Sequence, residues 1–290
     1  MENMTVGFIG LGIMGRAMAG NLLRHGCSLL VNDLDRAAQE RLCRQGAQAA
    51  AVEDIARRCG IIFTSLPNGE IVQEILLGER GVLPFARPGM LVADLSSITP
   101  GQAKRCFTAL AEQGVSFLDC PVSGGEPKAA DGTLAFMAGG EQAAFDRALP
   151  YFKMMGTSAV LVGPSGAGSM AKLANQIAIA GALAGVCEAL TYAKRAGLDP
   201  ARVYETIRTG AARSGQLDII APKVLNGDFS AAFYLRHFVK DMGIASQECR
   251  DRGLELEVLE QVLADCRQIE AEGHGGEGTQ ALIRHYPWAD

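Results

Sequence analysis

The 290-residue chain predicts an α/β fold, a doubly wound and largely parallel sheet followed by an all-helical C-terminal domain. Three observations carry that expectation. Residues 5 to about 163 alternate short apolar runs with amphipathic stretches, the grammar of strands joined by helical crossovers. The first apolar run ends in a glycine-rich turn, Gly10-Leu11-Gly12-Ile13-Met14-Gly15, which opens a helix. A break at Gly163-Pro164-Ser165-Gly166-Ala167-Gly168 separates this region from one that reads as helices alone. The expected domains are therefore residues 1–164 and 165–290.

Taken in order, Val6–Ile9, Leu29–Val31, Ile61–Thr64, Leu91–Asp94, Phe117–Asp119, Leu134–Ala138 and Val160–Val162 are expected as strands. Met14–Arg24, Arg36–Gln45, Ala51–Arg58, Glu70–Leu77, Pro100–Gln113 and Glu141–Met154 alternate with them as helices. Beyond the break, one long helical run covers 169–196, followed by Ala201–Thr209, Leu217–Leu225, His237–Asp251 and Glu255–Glu272. Gly273-His274-Gly275-Gly276-Glu277-Gly278 reads as a mobile loop.

Composition narrows the classes. The net charge is −5, and no basic surface is in view to attract nucleic acid or anionic lipid. Eight cysteines are scattered without a C-x-x-C pair, which matches reduced thiols rather than a disulfide framework or a metal site. No metal is expected. Met1-Glu2-Asn3-Met4 lacks the basic segment and apolar run of a signal peptide. Between Lys172 and Glu188 lie 15 uncharged residues, too few to span a bilayer and interrupted by Asn175 and Gln176. A buried helix, no membrane partner and a cytoplasmic location are expected.

In such a sheet, ligands bind beyond the carboxyl ends of the strands, so the informative residues are those that close them. In G-x-G-x-x-G after a strand, the first glycine makes the tight turn, the second lets backbone approach a pyrophosphate, and the third packs helix on strand. The pyrophosphate then sits at the helix N-terminus. A second apolar run closes at Asn32-Asp33, with Asp33 18 residues past Gly15, where a dinucleotide-binding unit keeps the carboxylate for the adenosine ribose. Asp119-Cys120-Pro121-Val122-Ser123-Gly124-Gly125 ends another strand in a hydroxyl and small residues, either an anion-binding nest or an ordinary turn. Lys172 precedes an apolar helix and shares a face with Asn175 and Gln176, which points to a partly buried functional lysine over one on a solvent face. Lys240-Asp241, taken alone, reads equally as an exposed charge pair.

Together these segments resemble the β-hydroxyacid dehydrogenase family. The likeness rests on Gly7–Gly15, Asp119–Gly125, Gly168-Ser169-Met170-Ala171-Lys172-Leu173-Ala174-Asn175-Gln176 and Lys240-Asp241, in the family's order and spacing across nearly the whole chain. The resemblance implies a Rossmann-type nucleotide domain, an oligomer (dimer or tetramer) formed through the helical domain, and a small hydroxy acid or semialdehyde as substrate. It implies that Lys172 is the general acid/base, that Ser123, Gly124 and Gly125 bind the substrate carboxylate, and that Gln176, with Asn175, bonds substrate oxygens. Gly10, Leu11, Gly12, Ile13, Met14, Gly15, Asn32, Asp33, Leu66, Pro67, Ser96, Ser97 and Lys240 are the implied cofactor contacts.

The cofactor is expected to be NAD, with NADP the alternative: Asp33 would repel a 2′-phosphate, Leu34 is apolar, and Arg36 lies close enough to oppose them. Glu126–Leu134 and Asn175-Gln176 resemble tartronate semialdehyde reductases more than 3-hydroxyisobutyrate dehydrogenases, while Gly273–Ala281 departs from the family's ending. The rival readings are a non-catalytic dinucleotide-binding module, which has no use for Lys172 and Ser123, and an imine reductase, which resembles the family without the lysine.

Overall fold

The structure, a computed structural model, describes residues 5–288. Met1–Met4, which carried the expectation about a leader, lie outside the described residues. The chain divides into two compact units, Met1–Lys172 and Leu173–Asp290.

The first unit runs β1 (Val6–Ile9), α1 (Ile13–Arg24), β2 (Leu29–Asn32), α2 (Arg36–Cys43), β3 (Gln48–Ala49), α3 (Val52–Arg58), β4 (Ile61–Thr64) and α4 (Gly69–Leu77). It continues through β5 (Leu91–Asp94), α5 (Pro100–Ala111), β6 (Ser116–Asp119), β7 (Val122–Ser123), α6 (Gly125–Asp131), β8 (Leu134–Gly140), α7 (Gln142–Met155) and β9 (Gly156–Gly163). The sheet order is β3-β2-β1-β4-β5-β6-β8-β7, with β9 on β8. β1 to β6 are parallel, and β8 runs against both β6 and β7.

The central strands β1, β2, β4 and β5 are almost wholly apolar because both faces are covered. Phe8, Val31, Phe63, Ala93 and Leu118 point into one core. Their neighbours Ile9, Leu30, Ile62, Val92 and Phe117 point into the other. The short strands β3 and β7 and the helix α6 were not expected: two-residue strands have no period, and α6 opens on glycines. Helix starts elsewhere follow side-chain caps. In α5, Thr99 and Gln102 form a reciprocal capping box ahead of Pro100.

Helix α8 (Ala167–Arg195) leads into the second unit, which holds α9 (Pro200–Ile207), α10 (Gly215–Leu225), α11 (Leu235–Asp251) and α12 (Glu257–Ala271). At 29 residues α8 is longer than its uncharged stretch. Among the described residues it is the one helix long and apolar enough to cross a membrane by length and composition. The expected exclusion by length therefore does not hold. Ala180, Leu183, Cys187 and Leu190 on α8 are buried in the core of the helical unit.

The expectation of a mobile loop from Gly273 is corrected. His274–Gly276 form a 3-10 turn, and Glu277 takes bonds from His274 (3.0 Å) and Arg284 (3.0 Å). Gly278 N donates to Phe229 O (3.0 Å), and Leu235 N donates to Glu277 O (2.9 Å). Thr279–His285 then turn as a second 3-10 segment whose Ala281, Leu282 and Ile283 are fully buried. Polar glycine-rich sequence hid an anchor set by distant partners. Leu282→Ala should therefore cost about 2–5 kcal/mol, the range for truncating a buried leucine, in chemical denaturation. A loop residue would cost almost nothing.

Candidate active site

Five strand ends lie at one level. Ile9 pairs with Asn32 and Thr64, Thr64 with Asp94, and Asp94 with Asp119. The glycine turn leaves β1 there. Gly10 has φ 94°, and a Cβ on it would meet Ser65 O at 2.2 Å; one on Gly15 would meet Gly10 O at 2.0 Å. Over Gly12 there is open space. Neither a capping side chain nor an acid occupies the first turn of α1, so its N–H groups face outward unpaired by side chains. A cradle with two closely packed glycines around one open one, at a bare helix N-terminus, fits a dinucleotide pyrophosphate.

The turn is braced by Asp33. Its Oδ2 accepts from Leu11 N and its Oδ1 from Asp35 N (2.7 Å). Each oxygen keeps a lone pair for a further donor. Asn32 spends its side-chain amide on Ala50 O (2.7 Å). Leu34 beside them is fully exposed. On the next strands, buried Asp94 accepts from Thr64 Oγ1 (2.7 Å) and Ser96 Oγ (2.6 Å), and Ser96 Oγ accepts from Leu66 N (2.9 Å). Asp94 thus sets the backbone of Leu66 and Ser96 with Pro67 and Ser97 following them. The sequence reading passed over Asp94, whose signal is a lone carboxylate ending an otherwise apolar strand.

The segment after β6 is a two-residue strand and a helix start. Gly124 (φ 144°) and Gly125 (φ 69°) take backbone conformations that a side chain would strain. Lys172, 8% exposed on α8, donates from Nζ to Val122 O (3.0 Å), the residue before Ser123. Within the first unit, then, the fold brings Lys172 to Ser123, Gly124 and Gly125, more than a hundred Å of extended chain being replaced by one hydrogen bond's reach. In the second unit, Gln176 is buried, accepts from Asn175 Nδ2 (2.9 Å) and donates to Asp241 Oδ2 (2.9 Å). Lys240 Nζ stands 3.2 Å from Asp241 Oδ1. Lys240-Asp241 is therefore not an exposed charge pair. Asp241 is 2% exposed, in phase with Phe238, Met242 and Ala245 on the buried side of α11, a periodicity that was visible in the sequence. Among the described residues no three His, Cys, Asp or Glu converge as a metal site.

Fold and cradle define a dinucleotide-binding protein. Residues 5–163 match the family described as the NAD binding domain of 6-phosphogluconate dehydrogenase. Residues 166–286 match that described as NAD-binding of NADP-dependent 3-hydroxyisobutyrate dehydrogenase. An uncharacterized oxidoreductase of Bacillus subtilis is 38% identical over 97% of this chain and 98% of its own. The 2-hydroxy-3-oxopropionate reductase of Escherichia coli is 38% identical over 87% of each chain. A crystal structure of a 3-hydroxyisobutyrate dehydrogenase from Salmonella typhimurium superposes with a TM-score of 0.88 at 30% identity, covering 98% of this chain and all of that one. The chain belongs to the β-hydroxyacid dehydrogenase family and is an NAD(P)-dependent enzyme acting on hydroxy acids.

One buried acid stands out at the end of β6. Asp119 is 1% exposed, and burial pushes its carboxyl up to about 6, against the pull of the N–H groups of Gly166 and Ser169. Cys120 beside it and Asp94, in register on β5, are its acidic neighbours. A carboxyl that holds its proton more tightly folded than unfolded contributes most below the unfolded value near 3.8, and loses that contribution as pH rises through about 6. The stability of the native protein relative to Asp119→Asn should therefore fall between pH 4 and 6 and level off above. Denaturation midpoints of both proteins across that range check it.

Proposed function

We propose that this enzyme interconverts tartronate semialdehyde and glycerate, with Lys172 as the general acid/base. The observation that carries the reading is a buried lysine whose Nζ rests on Val122 O beside the Ser123-Gly124-Gly125 turn. The bound nicotinamide supplies hydride transfer to or from the carbon that bears oxygen. In the reductive direction the aldehyde oxygen takes its proton from the Lys172 ammonium, and in the oxidative direction the neutral amine takes it back. Ser123, with the N–H groups of Gly124 and Gly125, holds the substrate carboxylate. Asn175 and Gln176, one helical turn beyond Lys172, offer amides to the remaining oxygens, and Asp241 orients Gln176.

Gly10 to Gly15 carry the pyrophosphate, Asn32 and Asp33 the adenosine ribose, and Leu66, Pro67, Ser96, Ser97 and Lys240 the remainder of the cofactor. Asp33 with exposed Leu34 supports NAD over NADP, and Arg36, three residues past Asp33, is the one nearby group in the sequence that opposes it.

The likeness to the Escherichia coli reductase and the run Glu126–Leu134 support the substrate; 3-hydroxyisobutyrate is the second reading, supported by the family matched over residues 166–286. All eight cysteines are free thiols, which supports a reducing cytoplasm. Exposed Tyr192, Leu198, Ile219 and Val258 on the helical unit support a dimer or tetramer.

Lys172→Ala should lower kcat by about 10²–10⁴, the usual worth of acid–base catalysis, while NAD affinity and folding persist. Turnover near that of the unmodified enzyme would remove the lysine from the mechanism. The substrate is tested by comparing kcat/KM for glycerate and 3-hydroxyisobutyrate with each cofactor at one pH. Glycerate with NAD should lead; a preference for 3-hydroxyisobutyrate, or for NADP, overturns the corresponding part of the assignment.

A further inference from the structure

Helix α8 begins without a cap of its own. Gly166 precedes it with φ 90°, and the first turn contains no acid. The acceptors come instead from Asp119, far back in the chain. Its Oδ1 accepts from Gly166 N (2.7 Å) and its Oδ2 from Ser169 N (2.7 Å). The approach is close on every side. A Cβ on Gly168 would meet Asp119 O at 2.2 Å and Met137 O at 2.4 Å; one on Gly139 would meet Gly168 N at 2.6 Å. The first turn of α8 is thus pressed backbone to backbone against the ends of β6 and β8.

Three residues beyond Asp119, the same segment offers Val122 O to Lys172 Nζ (3.0 Å). Ser169 and Lys172 are i and i+3 on one face of the helix. One short stretch therefore grips α8 twice, by a carboxylate on its first turn and by a carbonyl on the lysine. We propose that Asp119 is a positioning residue, which seats the start of α8 so that Lys172 Nζ stands over Val122 and Ser123. A carboxylate can accept on both oxygens from N–H groups at a helix N-terminus, which an amide cannot. In Asp119→Asn one of those N–H groups would face an NH₂ group.

This inference rests on Lys172 carrying the proton, and the two can fail separately. Lys172→Ala is measured first: retained turnover removes the reading beneath, whatever Asp119 does. With that variant inactive, Asp119→Asn should lower kcat by up to about 10²-fold, the cost of displacing a reacting group by an ångström. The limb of the kcat/KM–pH profile that reports Lys172 should move, and the dissociation constant for NAD should stay unchanged. Asp119→Ser is smaller and keeps one acceptor oxygen, so it removes one of the two backbone bonds and should shift the profile in the same direction. It stands in if Asp119→Asn does not fold. A folded Asp119→Asn, or in its place Asp119→Ser, with the kcat and pH profile of the unmodified enzyme and only a lower Tm, would leave Asp119 a merely structural cap and overturn the proposal.

Discussion

The common level of the strand ends is the constraint on which the first unit depends. In parallel pairing, each bond links a residue to the partner's neighbour, so the ladder carries the register one step past each strand. Gly10 N bonds Asn32 O (2.9 Å), Ser65 N bonds Ile9 O (2.9 Å), Leu95 N bonds Thr64 O (2.8 Å) and Cys120 N bonds Asp94 O (2.7 Å). Each turn therefore leaves the sheet with its first residue already fixed. A slip of one residue would also send Phe8 and Phe63 to the opposite core, so packing on both faces holds the edge in place.

Along that edge the fold buries carboxylates, which is unfavourable unless donors meet them. Asp94 is met by Thr64 and Ser96, and Asp119 by Gly166 and Ser169. Net gains from such bonds are modest, but an unmet buried acceptor is costly, so each network tolerates one loop conformation. In this way buried carboxylates at the strand ends fix the backbone of Leu66, Ser96 and the first turn of α8. The same logic recurs in the helical unit, where buried Asp241 takes the Gln176 amide and stands beside Lys240.

The glycine turn, the alternation of strands and helices and the change to helices near 163–168 were legible because each is a local pattern. A period of two or 3.6, a tight turn and a cap need only neighbouring residues. The burial of Lys172 was legible for the same reason: a lone cation heading an apolar helix contradicts its surroundings. The expected ends of the long strands and helices fall within two residues of those observed, except in β9, whose ladder with β8 begins at Gly156, four residues before the expected Val160. β3, β7 and α6 left no such trace, being too short or too rich in glycine.

What the amino-acid sequence determined by itself was therefore the class of fold, the order of the parts and the residue types at the strand ends. Tertiary structure alone decided which of those residues meet. Asp119 finds Gly166 and Ser169 47 and 50 residues on, and Gln280 on the C-terminal tail closes on Asp228 O and Ser230 O 52 and 50 residues back. Buried polar groups must find partners, but the partner is chosen by how layers pack, a quantity no local window contains.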